Sequence, residues 1–288
     1  MSDRLTLALQ RSGRLGDEAL AFLRACGVRV RAGSRTLTAR ATGFPLEMLF
    51  VRSKDVPRIV ADGAAAIGIC GLDALAERAP DGVDVIERLG FGPCRLSIAV
   101  PADSGPDAFE PTQLDGARIA TSFPQALGRW LDAQGVSAEA VVLGGSVEIA
   151  PRLGIADAVC DLVSTGSTLA SNGLVEVATV FESQAVLIAG PAAHETPELL
   201  DRLLLRVRSR LAAQRTRYVV MNAPERAVGA IKAILPGLKT PTVSRLADAG
   251  WVSLSTVVEV DRFWDTMEDL KAAGASDVLV LPIEQLVR

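Results

Sequence analysis

Histidine is almost missing from this chain. Its 288 residues contain one, His194, and four cysteines, Cys26, Cys70, Cys94 and Cys160, with no C-x-x-C pair among them. A Cys/His zinc site therefore has little material, and each cysteine reads as a small buried apolar group. A Ser-His-Asp triad would rest on His194 alone, inside the turn-rich stretch from Gly190 to Pro197, which excludes that chemistry in practice. Aromatic residues amount to only 4%, so the core must be built mainly from Ala, Val, Leu and Ile. No Lys/Arg block or basic tail stands out and the net charge is −4. The broad positive footprint of a nucleic-acid binder is absent, although a few arginines in one cleft can still hold phosphate. No apolar run has the length that crosses a bilayer. Met1-Ser2-Asp3-Arg4 leads directly into an alternating segment, so the cytoplasm is the expected compartment and no membrane partner is expected. Two phosphate motifs are missing as well, G-x-x-x-x-G-K-[ST] and a G-x-G-x-x-G after a strand, which excludes a P-loop NTPase and a Rossmann dinucleotide site.

What the chain does have is an apolar share of 49% against 22% charged residues, the balance of a globular protein long enough for two or three compact units. Leu5–Leu9 reads as a strand, followed by a polar turn and a helix through about Cys26. Glu47–Val51 and Ala66–Cys70 read as strands around a helix over Asp55–Ala61. This is the alternation of an α/β sheet with a strong parallel component. A second series has strands at Leu96–Val100, Arg118–Thr121, Ala140–Leu143 and Ala158–Val163, with helices over Pro124–Ala133 and Ser146–Leu153. Val175–Phe181 and Ala185–Ala189 then lead back out. The pattern predicts two α/β lobes, the second inserted into the first: residues 1–94 with 180–216, and residues 95–179. A cleft between such lobes is a common ligand site. The helix from Pro197 to about Arg215 reads as a connecting helix with solvated charges. From 217 to 288 the order becomes β-α-β-β-α-β, a ferredoxin-like unit.

The stretch richest in chemistry runs from Gly144-Gly145-Ser146-Val147-Glu148 to Ser164-Thr165-Gly166-Ser167-Thr168. A strand over Ala158–Val163 ends there in five small residues, four of them bearing hydroxyls. Such a bend leaves backbone N–H groups free to face an anion, and a following helix N-terminus adds positive potential. Asp161, just upstream, is placed to accept hydrogen bonds from two ribose hydroxyls while the loop holds a 5′-phosphate. Taken alone, Ser-Thr-Gly-Ser-Thr is equally an ordinary turn without a ligand.

The neighbouring residues add a resemblance. The run from Gly145 to Leu174 resembles the signature of the ATP phosphoribosyltransferases. Gln10-Arg11-Ser12-Gly13-Arg14-Leu15, Val51-Arg52 with Asp55 and Pro57, Gly68-Ile69-Cys70-Gly71-Leu72-Asp73, Cys94-Arg95-Leu96-Ser97, Arg118–Ser122, Pro236-Gly237, Pro241-Thr242 and Leu281-Pro282-Ile283-Glu284 match in the family's order. The resemblance covers essentially the whole chain, including the C-terminal module that marks the long form. It implies a periplasmic-binding-protein-like pair of lobes with a ferredoxin-like regulatory domain. It further implies transfer of phosphoribose from phosphoribosyl pyrophosphate to N1 of the ATP adenine, with pyrophosphate as product, as the first step of histidine biosynthesis.

On that resemblance Ser164, Thr165, Gly166, Ser167 and Thr168 cradle the 5′-phosphate and Asp161 holds the ribose hydroxyls. Arg11, Arg14 and Arg52 face the pyrophosphate or the ATP phosphates, Asp73 lies near them, and Glu148 steadies the ribose or its metal. Magnesium is expected to travel on the pyrophosphate, with no direct protein ligand assigned. Histidine is the expected inhibitor, with AMP a candidate second one, and Asn222 and Thr242 fall where effector contacts are expected. A homo-oligomer, dimer or hexamer, is also implied. Plainer readings stand beside these: Arg52 as a surface partner of Asp55, Glu148 as a first-turn acid, Asp73 as a helix cap. Arg11 stands where many relatives carry lysine, and Phe123 where they often have tyrosine, so Phe123 is left out of the expected site. A cytoplasmic small-molecule sensor and a phosphoribosyltransferase for another base are the alternative functions.

Overall fold

The computed structural model describes residues 4–30, 36–104, 109–235, 237 and 240–288. Pro236 and the first three residues, used in the sequence reading, lie outside the described residues. The chain divides into two compact units, Met1–Arg24 with Val28–Leu199, and Ala25–Gly27 with Leu200–Arg288.

The first unit opens with β1 (Leu5–Gln10) and α1 (Arg14–Ala25). It continues through β2 (Arg29–Val30), β3 (Thr38–Thr42), β4 (Leu46–Val51), α2 (Val56–Ala61), β5 (Ile67–Gly71), α3 (Leu72–Arg78) and β6 (Asp84–Arg88). The chain then crosses to a second lobe of β7 (Cys94–Pro101), β8 (Arg118–Thr121), α4 (Pro124–Gln134), β9 (Glu139–Val142), β10 (Ala158–Val163), α5 (Ser167–Ser171) and β11 (Leu174–Ser183). It returns to the first lobe as β12 (Ala185–Ala189) and leaves it along α6 (Pro197–Gln214).

The first lobe is a seven-stranded sheet ordered β2-β3-β4-β1-β5-β12-β6. β1 pairs in parallel with β4 and β5, while β12 lies antiparallel between β5 and β6. Both faces of its centre are covered. Leu7, Ala8 and Leu9 of β1 are all buried, as is every residue of β5, so continuous apolar runs replace alternation there. The second lobe is a five-stranded sheet ordered β11-β7-β10-β8-β9. One of its faces packs Leu96, Ile98, Ile119 and Cys160 with Leu127 and Leu131 of α4. The other packs Ala99, Ala120, Val159 and Val163 with Val147 and Leu169. Its strands run from Cys94 to Ser183, slightly beyond the expected 95–179.

The second unit adds β13 (Thr216–Pro224), α7 (Val228–Ile234), β14 (Thr242–Arg245), β15 (Trp251–Glu259), α8 (Val260–Ala272) and β16 (Ser276–Pro282). The sheet order β14-β15-β13-β16, antiparallel throughout, is the expected ferredoxin-like arrangement. Val219, Met221, Val252 and Leu254 turn to Ile231, Phe263 and Leu270 of the two helices. The unit begins earlier than the boundary read at 216/217, because the C-terminal tail runs along α6. Leu286 donates its N–H to the Ser209 carbonyl at 3.0 Å, and Arg210 donates to the Glu284 carbonyl at 3.3 Å.

One helix read from the sequence is not there. Ser146–Leu153 forms only a 3-10 turn over Val147–Ile149 and a further irregular turn. Pro151 has no N–H to give to a helical ladder, and Ser146 already sits at φ +53°, outside helical conformation.

Candidate active site

Four elements carry the residues of interest to one end of the first unit. β1 ends at Gln10 and delivers Arg11 and Arg14; β5 ends at Gly71 and delivers Asp73; β10 delivers Asp161; the bend after it, Ser164–Thr168, opens α5. A cavity of about 720 Å³ lies between the lobes, lined among others by Arg14, Asp73 and Glu77 from the first and by Phe123, Gly144 and Leu162 from the second. That is a volume suited to a nucleotide-sized ligand.

The hydroxyl loop is built as a turn into a short helix. Gly166 is its N-cap residue at φ +79°, the left-handed region that residues with a Cβ enter at a cost. Its carbonyl accepts the Ala170 N–H at 3.0 Å, and Thr165 Oγ1 and Ser167 Oγ lie 3.0 Å apart. Ser164, Thr165, Ser167 and Thr168 are exposed. Across the cleft Arg14 donates to Ser164 Oγ at 3.0 Å, which joins the first lobe to the loop.

Asp161 is half-buried, and burial pushes its carboxyl above the ordinary carboxylate range; the Leu162 N–H pulls it down and the nearby Glu148 carboxylate raises it further. The two acids thus share one neighbourhood. Asp73 does not cap α3 with its side chain. It exchanges two hydrogen bonds with Ser183: the Asp73 N–H donates to Ser183 Oγ at 3.0 Å, and the Ser183 hydroxyl donates to Asp73 Oδ1 at 2.7 Å. The carboxylate folds back over Gly71, so a Cβ there would have to displace the Asp73 side chain from its bond to Ser183. Cys94 lies in the same corner. Burial and then the Asp73 charge push its thiol up, which keeps it protonated and unreactive.

Arg11 and Arg52 sit differently from Arg14. The Arg11 guanidinium donates to the Thr36 carbonyl at 2.5 Å and stacks over Phe50 at 5.3 Å from the ring centroid. Arg52 is exposed, and among the described residues no ion pair joins it to Asp55; its carbonyl accepts the Asp55 N–H at 2.9 Å. Arg14 and Asp73 line the cavity directly, whereas Asp161 is next to the lining residue Leu162.

Sequence reasoning missed Ser183, Glu77 and Phe123. Phe123 lines the cavity. It precedes α4 at the N-cap position, where it offers no side-chain acceptor, and Pro124 follows it. Glu77 of α3 supplies the missing cap from the other lobe, accepting the Gln125 N–H at 3.1 Å and the Ala126 N–H at 2.9 Å. Arg129 of α4 answers by donating to the Ala76 carbonyl. This reciprocal pair clasps the lobes beside the cavity. The variant Glu77→Ala is expected to open the cleft in the ligand-free protein. Small-angle scattering should then give a larger radius of gyration, and a ligand of the cleft should bind several-fold more weakly, since only the closed fraction binds. An unchanged radius with unchanged affinities would remove the clasp from the account.

In the second unit Asn222 on β13 and Thr242 on β14 flank β15, opposite Ser253 and Ser255 respectively, on the sheet face turned away from α7 and α8. The Asn222 side chain donates to Asp277 Oδ2 at 3.3 Å.

Comparison with known proteins gives consistent matches. A sequence profile for ATP phosphoribosyltransferase (HisG) matches residues 52–209, and one for the HisG C-terminal domain matches residues 213–285. The chain is 46% identical to an ATP phosphoribosyltransferase of Cytophaga hutchinsonii, with 100% of each chain covered. Among solved structures it resembles the ATP phosphoribosyl transferase (HisG:HisZ) complex from Thermotoga maritima, with TM-score 0.59 and 28% identity over 71% of this chain and 98% of that one. A histidine kinase sensor domain similar to periplasmic binding proteins matches with TM-score 0.50 at 14% identity, over 74% of this chain and 92% of that one, a likeness of fold alone. No helix among the described residues is long and apolar enough to cross a membrane.

Proposed function

The chain belongs to the ATP phosphoribosyltransferase family, in its long form, and from that premise we propose how its own residues carry out the transfer. The enzyme is a pentosyltransferase that moves phosphoribose from phosphoribosyl pyrophosphate to N1 of the ATP adenine, releasing pyrophosphate, in histidine biosynthesis. N1 is already a lone-pair nucleophile, so the protein's task is placement and charge stabilisation rather than activation of the attacking atom.

In this reading the Ser164–Thr168 bend takes the donor's 5′-phosphate and Asp161 takes its ribose hydroxyls. Arg14 reaches over the bend toward the pyrophosphate. Arg11 and Arg52 provide further positive charge at the same end of β1 and β4, and Asp73, fixed by Ser183, faces the cavity that takes ATP. The observation that carries this assignment is the 3.0 Å bridge from Arg14 to Ser164, which ties the nucleotide-sized cavity to the hydroxyl loop beside Asp161.

The family's reaction needs a divalent cation, and magnesium is the one assigned here. Among the described residues no group of three or more His, Cys, Asp or Glu side chains is gathered to hold a metal. Glu148 and Asp161 offer two carboxylates only, which suits a cation kept mainly by diphosphate oxygens and water. Held there, such a cation would supply neutralisation of the charge that builds on the leaving pyrophosphate. Incubating the protein with ATP, magnesium and phosphoribosyl pyrophosphate should release pyrophosphate. Other nucleotides in place of ATP should not support release, and binding without turnover would overturn the assignment.

The ferredoxin-like domain is assigned to feedback: histidine is the inhibitor and AMP a second candidate, with Asn222 and Thr242 as effector contacts in a dimer-to-hexamer homo-oligomer. The cytoplasm is the assigned compartment. Asn222→Ala is expected to raise the histidine concentration for half-inhibition by about tenfold, the loss of one or two hydrogen bonds, without changing uninhibited turnover. Inhibition identical to that of the parent would discard Asn222 as a contact.

A further inference from the structure

Two acids, Asp73 and Glu77, line the cavity between the lobes, and they are not spent alike. Glu77 has both carboxylate oxygens engaged, Oε1 by the Gln125 N–H and Oε2 by the Ala126 N–H. Asp73 has Oδ1 engaged by the Ser183 hydroxyl at 2.7 Å, while its own N–H donates back to Ser183 Oγ at 3.0 Å. One serine thus fixes both the main chain and the side chain of this aspartate. Among the described residues Oδ2 receives no hydrogen bond, and none of the ion pairs there includes Asp73. Arg14, a cation of the same lining, is turned to Ser164. The cavity therefore keeps one aimed carboxylate oxygen with nothing to accept from.

Its surroundings are those of a base. Asp73 and Glu77 lie four residues apart on α3, hence on one face of it and about 6 Å apart along its axis. Glu77 touches α4 directly after Phe123 and Pro124, so Asp73 stands about one turn from the place where the lobes meet. Phe123, Pro124, Leu15 and Leu143 give the same cavity apolar walls. An unspent acceptor among such walls suits a flat ring with an N–H donor on its edge.

The transfer itself says which donor. As the bond from N1 to the anomeric carbon forms, the bond from that carbon to pyrophosphate oxygen breaks and its electron pair leaves with the pyrophosphate. The N1 lone pair is then committed, and the adenine carries one positive charge spread over N1, C6 and the 6-amino nitrogen. The amino protons become stronger donors, and none has to leave during the step. A fixed carboxylate facing them is worth more at the transition state than before it. A 6-oxo base would present lone pairs to the same oxygen and be rejected.

We propose that Asp73 Oδ2 accepts a hydrogen bond from the 6-amino group of ATP, selecting adenine among the purines and stabilising the cation that forms on it, with Ser183 as the positioning residue that aims it. The inference rests on the reading that this cavity takes ATP.

The test pairs Asp73→Ala with purine riboside 5′-triphosphate, which keeps N1 but has hydrogen in place of the 6-amino group. Dissociation constants of ATP and of this analogue are measured with the parent and with the variant. The parent's preference for ATP should exceed the variant's by roughly 10- to 100-fold, the range for one charge-assisted hydrogen bond. If Asp73 only braced the strand at Ser183, the variant would lose affinity equally for both nucleotides, and an unchanged preference overturns the proposal. The kcat for ATP should also fall in the variant, and an unchanged kcat refutes the stabilisation of the cation. Ser183→Ala, which leaves the carboxylate free to turn, should narrow the preference in the same direction; a preference kept whole there removes Ser183 from its role. Should Asp73→Ala not fold, Asp73→Asn takes its place: a preference reduced by roughly fivefold, the difference between a charged and a neutral acceptor, supports the inference, and an unchanged one refutes it. A parent that binds neither nucleotide rejects the ATP reading of the cavity, whereas one that binds both in the same ratio as Asp73→Ala rejects only the part given to Asp73.

Discussion

Replacing Asp161 with asparagine is expected to lower kcat/KM for phosphoribosyl pyrophosphate by roughly 10²- to 10⁴-fold, while the folded protein becomes no less stable at neutral pH. The loss comes from two hydrogen bonds to a charged acceptor, about 1.5–3 kcal/mol each, with every 1.4 kcal/mol worth about tenfold. The stability follows from the opposite side of the same environment. Burial raises the Asp161 pKa above its unfolded value, so the native chain holds this proton more tightly than the unfolded chain. Stability from this group is therefore highest below the unfolded pKa of about 4. It declines as pH rises through the interval up to the raised folded value and stays reduced above it. Asparagine has no charge to desolvate, so at pH about 7 the variant should melt at or above the parent temperature, and the difference should shrink below pH about 4. A variant with parental donor kinetics, or one that melts markedly lower at neutral pH, contradicts this account.

The second large effect concerns Gly166. At φ +79° it sits where a residue with a Cβ is strained, and its ideal Cβ position meets nothing closer than Val163 Cγ1 at 4.0 Å. Space is therefore available, and the obstacle is backbone conformation alone. Valine, branched at Cβ, should force the bend out of this conformation or impose strain of about 1–3 kcal/mol. The donor KM for Gly166→Val is expected to rise by roughly 5- to 150-fold, the range that strain corresponds to. Alanine should show a smaller shift of the same sign and asparagine, which tolerates this region better, the smallest. Equal kinetics across the three variants would mean that the bend does not grip the donor.

The sequence was most legible where apolar content and termini agreed. The strands read at Ala158–Val163 and Ala185–Ala189 have those same bounds in the structure. The β-α-β-β-α-β order of the C-terminal unit also appears as read. Strands Thr38–Thr42 and Asp84–Arg88 went unread because threonine, arginine and acids dominate them; they are edge and near-edge strands, where one apolar side chain per turn of the pleat suffices. Leu72–Arg78 was hidden by its brevity, and Ser146–Leu153 looked helical because propensity ignores what Pro151 removes. Within the candidate site, the loop and Asp161 stood out because their residues are contiguous. Ser183 and Glu77 could not, since each meets its partner across dozens of residues and neither belongs to a local pattern.

The position of β12 has a consequence for synthesis on the ribosome. This strand lies inside the first lobe's sheet, between β5 and β6, yet it follows the whole second lobe in the chain. A nascent chain that has released β1 to β6 still lacks the strand that joins β6 to the rest, and only the inserted lobe has its complete sheet when β11 emerges. The order of assembly is thereby fixed by topology: the inserted lobe matures first, and the lobe begun earliest is finished last, with β6 waiting unpaired and open to stray association until Ala185–Ala189 arrives.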